Sequence, residues 1–146
     1  MIGIVLIGHE RIASEMLAAM EHVVGKQSLM EVLDVQGDQG PDELVCALQA
    51  KIRACDIGDG VLLLADMFGG TPCNIAMGCL KAGSVEVVSG FNLPLLIKAA
   101  TLREKPGTLG RLAEQVVESG RLYMRVAPHV SSVASDNSRM AGGTGA

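Results

Sequence analysis

The chain has 146 residues, 49% of them apolar but only 2% aromatic, and a formal net charge of -4. That length suits one domain with a real core made of aliphatic side chains, and an acidic balance with no basic cluster gives no electrostatic footprint for nucleic acid. The apolar start is too short to span a bilayer and has neither a charged leader region nor a small-residue cleavage site, so no membrane insertion is expected and the protein is read as cytoplasmic.

Short apolar runs alternate with stretches of helical period, the pattern of repeated strand-helix units. Residues 2–8 read as a first strand, and Ile12, Met16, Met20 and Val23 then mark a helix that stops at Gly25. Residues 29–35 read as a second strand. Pro41 opens a second helix carrying Leu44, Leu48, Ile52 and Cys55. Residues 60–66 are a third strand, after which Thr71 is the expected N-cap of a third helix with Pro72 as its first residue. A fourth strand is expected over 85–89, a fourth helix over 94–103 and a fifth over 108–119, closed by Gly120. Residues 121–126 read as a last short strand. From Ser131 on the chain is Ser, Gly and Ala with almost no large apolar residues, so 129–146 reads as a disordered tail behind a domain at 1–128.

Two strands end abruptly in polar residues. The first stops at Gly8-His9-Glu10, and the third at Asp66-Met67-Phe68-Gly69-Gly70-Thr71-Pro72. If these strands are parallel neighbours, His9 and Asp66 share the crevice at their carboxyl ends, where open α/β sheets carry out their chemistry. A histidine oriented by an aspartate is a nucleophile or general base. Gly69 and Gly70 let backbone approach a ligand, and the amides that open the third helix can receive an anion together with the Thr71 hydroxyl. Phosphoryl transfer to His9 itself fits this set better than acyl transfer, for which Cys73 is the only nearby nucleophile. His22 and His129 read as solvated surface. Cys46, Cys55, Cys73 and Cys79 form no Cys-x-x-Cys pair and no zinc spacing, so reduced structural thiols and no metal are expected. Phe68 and Phe91 follow the third and fourth strands on one edge of the sheet, and with Met67 they suggest a docking surface for another protein.

The segments Ile4-Val5-Leu6-Ile7-Gly8-His9, Leu64-Ala65-Asp66-Met67-Phe68-Gly69-Gly70-Thr71-Pro72-Cys73-Asn74 and Val88-Ser89-Gly90-Phe91-Asn92-Leu93-Pro94 resemble, in that order, the enzyme IIA domain of the mannose family of the bacterial phosphoenolpyruvate-dependent sugar phosphotransferase system. The resemblance covers residues 1 to about 127. It implies an α/β fold with a parallel sheet of order 2-1-3-4, helices on both faces, and a fifth, antiparallel strand exchanged in a homodimer, a place that residues 121–126 would fill. It also implies that His9 accepts a phosphoryl group from the histidine phosphocarrier protein HPr and passes it to an enzyme IIB, that Asp66 orients His9, that Thr71 supplies the hydroxyl of the phosphate-binding motif, and that no cofactor takes part. Such a protein would work in the cytoplasm, in association with a membrane permease. Glu10 departs from the family, which often has glycine after the histidine.

Two other readings remain open at this level. The same domain, encoded apart from a permease, could report phosphorylation state to a protein partner as a regulatory module. A receiver domain also phosphorylates an aspartate closing its third strand, but it needs an acidic pair closing the first strand to hold magnesium and a lysine closing a fifth. Neither is present.

Overall fold

The computed structural model describes residues 1–104 and 107–127. The four apolar runs form β1 (Gly3–His9), β2 (Met30–Val35), β3 (Val61–Ala65) and β4 (Val85–Ser89). They make one sheet in the order β2-β1-β3-β4, and every pairing is parallel. The inner strands β1 and β3 are buried on both faces, apart from His9 at the end of β1, which is why they read as continuous apolar runs rather than as alternating ones.

Five helices cover the sheet: α1 (Ile12–Val24), α2 (Pro41–Cys55), α3 (Gly70–Gly78), α4 (Leu93–Leu102) and α5 (Leu109–Leu122). Successive strand residues point to opposite faces. Ile4 and Leu6 of β1, with Leu62 and Leu64 of β3, therefore pack against α1, α4 and α5. Val5, Ile7, Leu63 and Ala65 face α2 and α3. The result is a three-layer domain in which the all-parallel pairing sets every strand-to-helix loop at the carboxyl edge.

A buried arginine pins the opposite edge. Arg103, only 2% exposed, donates from its guanidinium to the carbonyls of Ile2, Ser28 and Leu29 and to the side-chain oxygen of Gln27. Burial pulls its pKa below the ordinary value, partly offset by the charge of Glu104.

The expected last strand does not form. Arg121 and Leu122 complete α5, and 123–126 make no strand pairing. Gly120 does not end the helix because it serves another purpose. A Cβ there would lie 3.3 Å from the Asn92 Oδ1 atom and from Leu95, so the missing side chain lets α5 close onto α4. The antiparallel fifth strand is thus absent among the described residues, where the outer edge of β4 has no strand partner past Val85, which exchanges two backbone hydrogen bonds with Lys81. The C-terminal segment read as disordered, 129–146, lies outside the described residues.

Candidate active site

His9 and Asp66 meet at the carboxyl edge because β1 and β3 are adjacent and in register, Ile7 opposite Ala65. The Asp66 backbone N–H donates to the Ile7 carbonyl at 3.2 Å, which continues the ladder one step past β3. The Asp66 Oδ2 atom then accepts the His9 backbone N–H at 2.9 Å and lies 2.7 Å from the His9 Nδ1 atom. Its Oδ1 atom accepts the Met67 N–H at 3.0 Å. Burial pushes the Asp66 carboxyl up, but the His9 backbone and ring bonds, with the Met67 amide, outweigh it and hold the group below the usual carboxylate range. An ionised Asp66 can only accept, so Nδ1 carries the proton of this contact, and in the neutral ring Nε2 is the nitrogen with the free lone pair. The Asp66 side chain is 8% exposed and the His9 side chain 48%. The aspartate is spoken for and shielded while the imidazole is open, which disfavours a receiver-like use of Asp66 as the acceptor.

Two glycines shape the space around the ring. A Cβ on Gly8 would lie 2.4 Å from the Ile12 Cγ2 atom and 3.3 Å from the Asp66 Cβ atom. A Cβ on Gly70 would lie 3.2 Å from the His9 Cε1 atom and 3.4 Å from Nε2. Gly70 also has a φ of 77°, a left-handed backbone that favours glycine. The Cε1–Nε2 edge of His9 therefore looks onto the turn that opens α3.

That turn differs from the sequence expectation. The N-cap is Gly69, α3 starts at Gly70, and Thr71 makes no capping bond. Two left-handed glycines wind the chain into the helix earlier than a Thr-Pro start suggests, so Pro72 sits in the first turn and the exposed Thr71 is not engaged as a cap. The first turn of α3 contains no charged residue, and its leading amides have no side-chain acceptor. The start of α1 is different. Asp34, the penultimate residue of β2 and opposite Gly8, accepts the Ser14 backbone N–H at 3.1 Å and the Ser14 hydroxyl. Of the two helix starts beside His9, that of α3 is the one left to receive an anion.

The three residues expected to dock a partner separate into two groups. Met67 and Phe68 are exposed, at 53% and 78%. Phe91 is corrected: it is 7% exposed and belongs to the core with Leu95, Leu96 and Leu112. The backbone amides of Gly90 and Phe91 both donate to the Ala65 carbonyl, which turns the loop after β4 inward and carries the ring with it. His22 is exposed on α1, away from the site, Cys73 is buried in α3, and His129 lies outside the described residues.

Sequence reasoning missed Asp34 and Asn92. Asn92 caps α4 by accepting the Leu95 N–H at 3.0 Å and donates to the Gly120 carbonyl at 2.9 Å. An Asn two residues before a Pro was the available signal for the cap. Nothing local pointed to Asp34, whose partner lies twenty residues away. Among the described residues no group of three His, Cys, Asp or Glu could hold a metal ion, and no helix is long and apolar enough to cross a membrane.

Comparison with known proteins gives this geometry a family. The chain is 29% identical over 121 residues to the mannose-specific EIIAB component of the phosphotransferase system of Escherichia coli K12, covering 82% of this chain but only 38% of that protein. It is 22% identical over 138 residues to the fructose-specific EIIA component of Bacillus subtilis 168, covering 94% of each. The mannose/sorbose-specific IIA subunit of Enterococcus faecalis superposes with a TM-score of 0.76 at 28% identity, over 86% of this chain and 93% of that one. The EIIA component of Streptococcus agalactiae, at 23% identity and a TM-score of 0.78 over 86% and 97% of the two chains, shares the fold. The family model described as the PTS system fructose IIA component matches residues 3–117, and the chain belongs to that family, the mannose-type enzyme IIA components of the sugar phosphotransferase system.

Proposed function

We propose that the chain is a phosphocarrier whose His9 takes a phosphoryl group from phospho-HPr and passes it to an enzyme IIB. The observation that carries this reading is the 2.7 Å approach of the His9 Nδ1 atom to Asp66, which leaves Nε2 open toward a glycine turn at a helix start. The Nε2 lone pair attacks phosphorus, the N–P bond of the donor phosphohistidine breaks, and its electron pair returns to the donor ring. His9 becomes an N-phosphorylated, cationic ring that keeps its Nδ1 proton. Asp66 stabilises that charge, while the amides of Gly69, Gly70 and Thr71 and the Thr71 hydroxyl receive the phosphoryl oxygens. The reverse sequence delivers the group to enzyme IIB at the cytoplasmic side of a membrane permease. Met67 and Phe68 give both partners an apolar footing.

The test is a two-step transfer. The chain is loaded from phospho-HPr and then mixed with an enzyme IIB of the mannose family. Loading followed by discharge to enzyme IIB is expected. Loading without discharge would favour the regulatory module instead.

The dimer is proposed on separate grounds. Past Val85 the outer edge of β4 has no strand partner among the described residues, and a groove of about 670 Å³ between β4 and α5 is lined by Val88, Ala113, Val117 and Leu122. Leu122, Met124 and Val126 are all exposed and recur at the two-residue spacing of a strand. A second copy of residues 121–126 laid along β4 would pair that edge and cover the groove.

A further inference from the structure

Glu10 follows the proposed phosphoryl acceptor and stands out in three ways. Its φ is 51°, a left-handed backbone in which a non-glycine residue is strained, and such strain tends to be kept where a site uses it. The residue is exposed, and no hydrogen bond or ion pair among the described residues engages its carboxylate. A glycine would fit the turn better, and a carboxylate beside His9 cannot help hold an anion. Neither backbone nor phosphate accounts for it.

The surroundings supply a reason. Among the strand-to-helix loops and first helical turns at the carboxyl edge, the one cation is Arg11, which already pairs with Glu15 at 3.6 Å. The first turn of α2 adds Asp42 and Glu43, and those of α3 and α4 add no charge. Arg121 lies in the last turn of α5 and Arg125 just past it, on a helix packed against β4, which is two strands from β1 and His9. A transferring phosphoryl group needs positive charge on its equatorial oxygens. The α3 amides and Thr71 offer dipoles but no full charge, so the cation has to arrive with the other protein.

We propose that Glu10 is a recognition residue that seats a lysine or arginine of the protein exchanging phosphate with His9. This rests on the phosphocarrier reading. The rim is then polarised: carboxylates on the α1 and α2 side receive the partner's basic residues, and Met67 and Phe68 on the β3 side receive an apolar contact. That asymmetry fixes the partner's orientation and steers its approach.

Two donors separate recognition from chemistry. With phospho-HPr as donor, Glu10→Gln should lower kcat/KM about fivefold through KM and make its dependence on salt shallower. With phosphoramidate, a small anionic donor that brings no cation and releases ammonia as the new N–P bond forms, the same variant should react about twofold faster because a repelling charge is gone. A merely structural role would move both rates in one direction. Glu10→Gly should match Glu10→Gln with phospho-HPr while raising the melting temperature, since it relieves the strained φ. The proposal is overturned if the phospho-HPr reaction keeps its KM and salt dependence in Glu10→Gln, if both donors shift together, or if Glu10→Gly reacts like the parent. Failure of His9 to take phosphate from either donor would overturn the phocarrier reading itself, and this inference with it.

Discussion

One carboxylate oxygen of Asp66 holds His9 at two points, its backbone N–H at 2.9 Å and its ring Nδ1 atom at 2.7 Å. Strand pairing and ring orientation are therefore coupled. The side chain that sets the tautomer also continues the contact between β1 and β3 past the last ladder bond. Replacing Asp66 by Asn keeps the shape but removes the charge. Losing one charge-assisted hydrogen bond costs roughly 1.5 to 3 kcal/mol, so rapid-quench transfer from phospho-HPr should slow about tenfold to a hundredfold, with phosphate still found on His9. An unchanged rate would remove Asp66 from the account.

The same pair predicts a pH dependence of stability. The Asp66 carboxyl is held below its unfolded value, so its contribution is complete above the unfolded carboxylate pKa of about 3.9 and is lost as pH falls through the folded one. Thermal melts of the parent and of Asp66→Asn should differ most near neutrality and converge below about pH 4. A gap that widens on acidification contradicts the sign.

Gly70→Ala tests the space beside the His9 ring. The added Cβ would lie 3.2 Å from the His9 Cε1 atom and would sit on a left-handed backbone, a strain of order 1 kcal/mol. Transfer should fall by more than tenfold, well beyond what the modest drop in melting temperature explains. Thr71→Val, which removes only the hydroxyl, should slow transfer less.

Arg103→Ala should destabilise the fold by about 2 to 4 kcal/mol, because it leaves the carbonyls of Ser28 and Leu29 without their buried donor. The residue lies at the amino edge, remote from His9, so phosphate uptake at low temperature should be retained. Denaturant titration and single-turnover transfer on one preparation separate the two effects.

Much of this arrangement is legible in the chain before it folds. The buried strands β1 and β3 read as uninterrupted apolar runs, and a polar residue closing each, His9 and Asp66, marks the edge where they end. Features set by tertiary contact are not legible. Gly120 looks like a helix stop until α4 lies against it, and Phe91 looks like a surface aromatic until two amides turn its loop inward. Gly69 caps α3 because its left-handed backbone starts the helix ahead of Thr71, and Asp34 caps α1 from a neighbouring strand. For Gly120, Phe91 and Thr71 local propensity named an available role and packing chose another, while for Asp34 it named none.

The dimer proposal has a direct consequence. Ending the chain after Leu122 keeps α5 whole but removes Met124 and Val126, so light scattering should report monomers where the full chain gives dimers. A stable dimer from the shortened chain would contradict the exchange of residues 121–126.

The central claim is that His9 carries the phosphate. Incubation with phosphoenolpyruvate, enzyme I and HPr, followed by intact mass and peptide mapping, tests it most directly. The account predicts one added phosphate on the peptide containing His9, lost in acid as a phosphoramidate is, absent in His9→Ala and retained in His22→Ala. Phosphate on folded His9→Ala, or a label that survives acid, would contradict it.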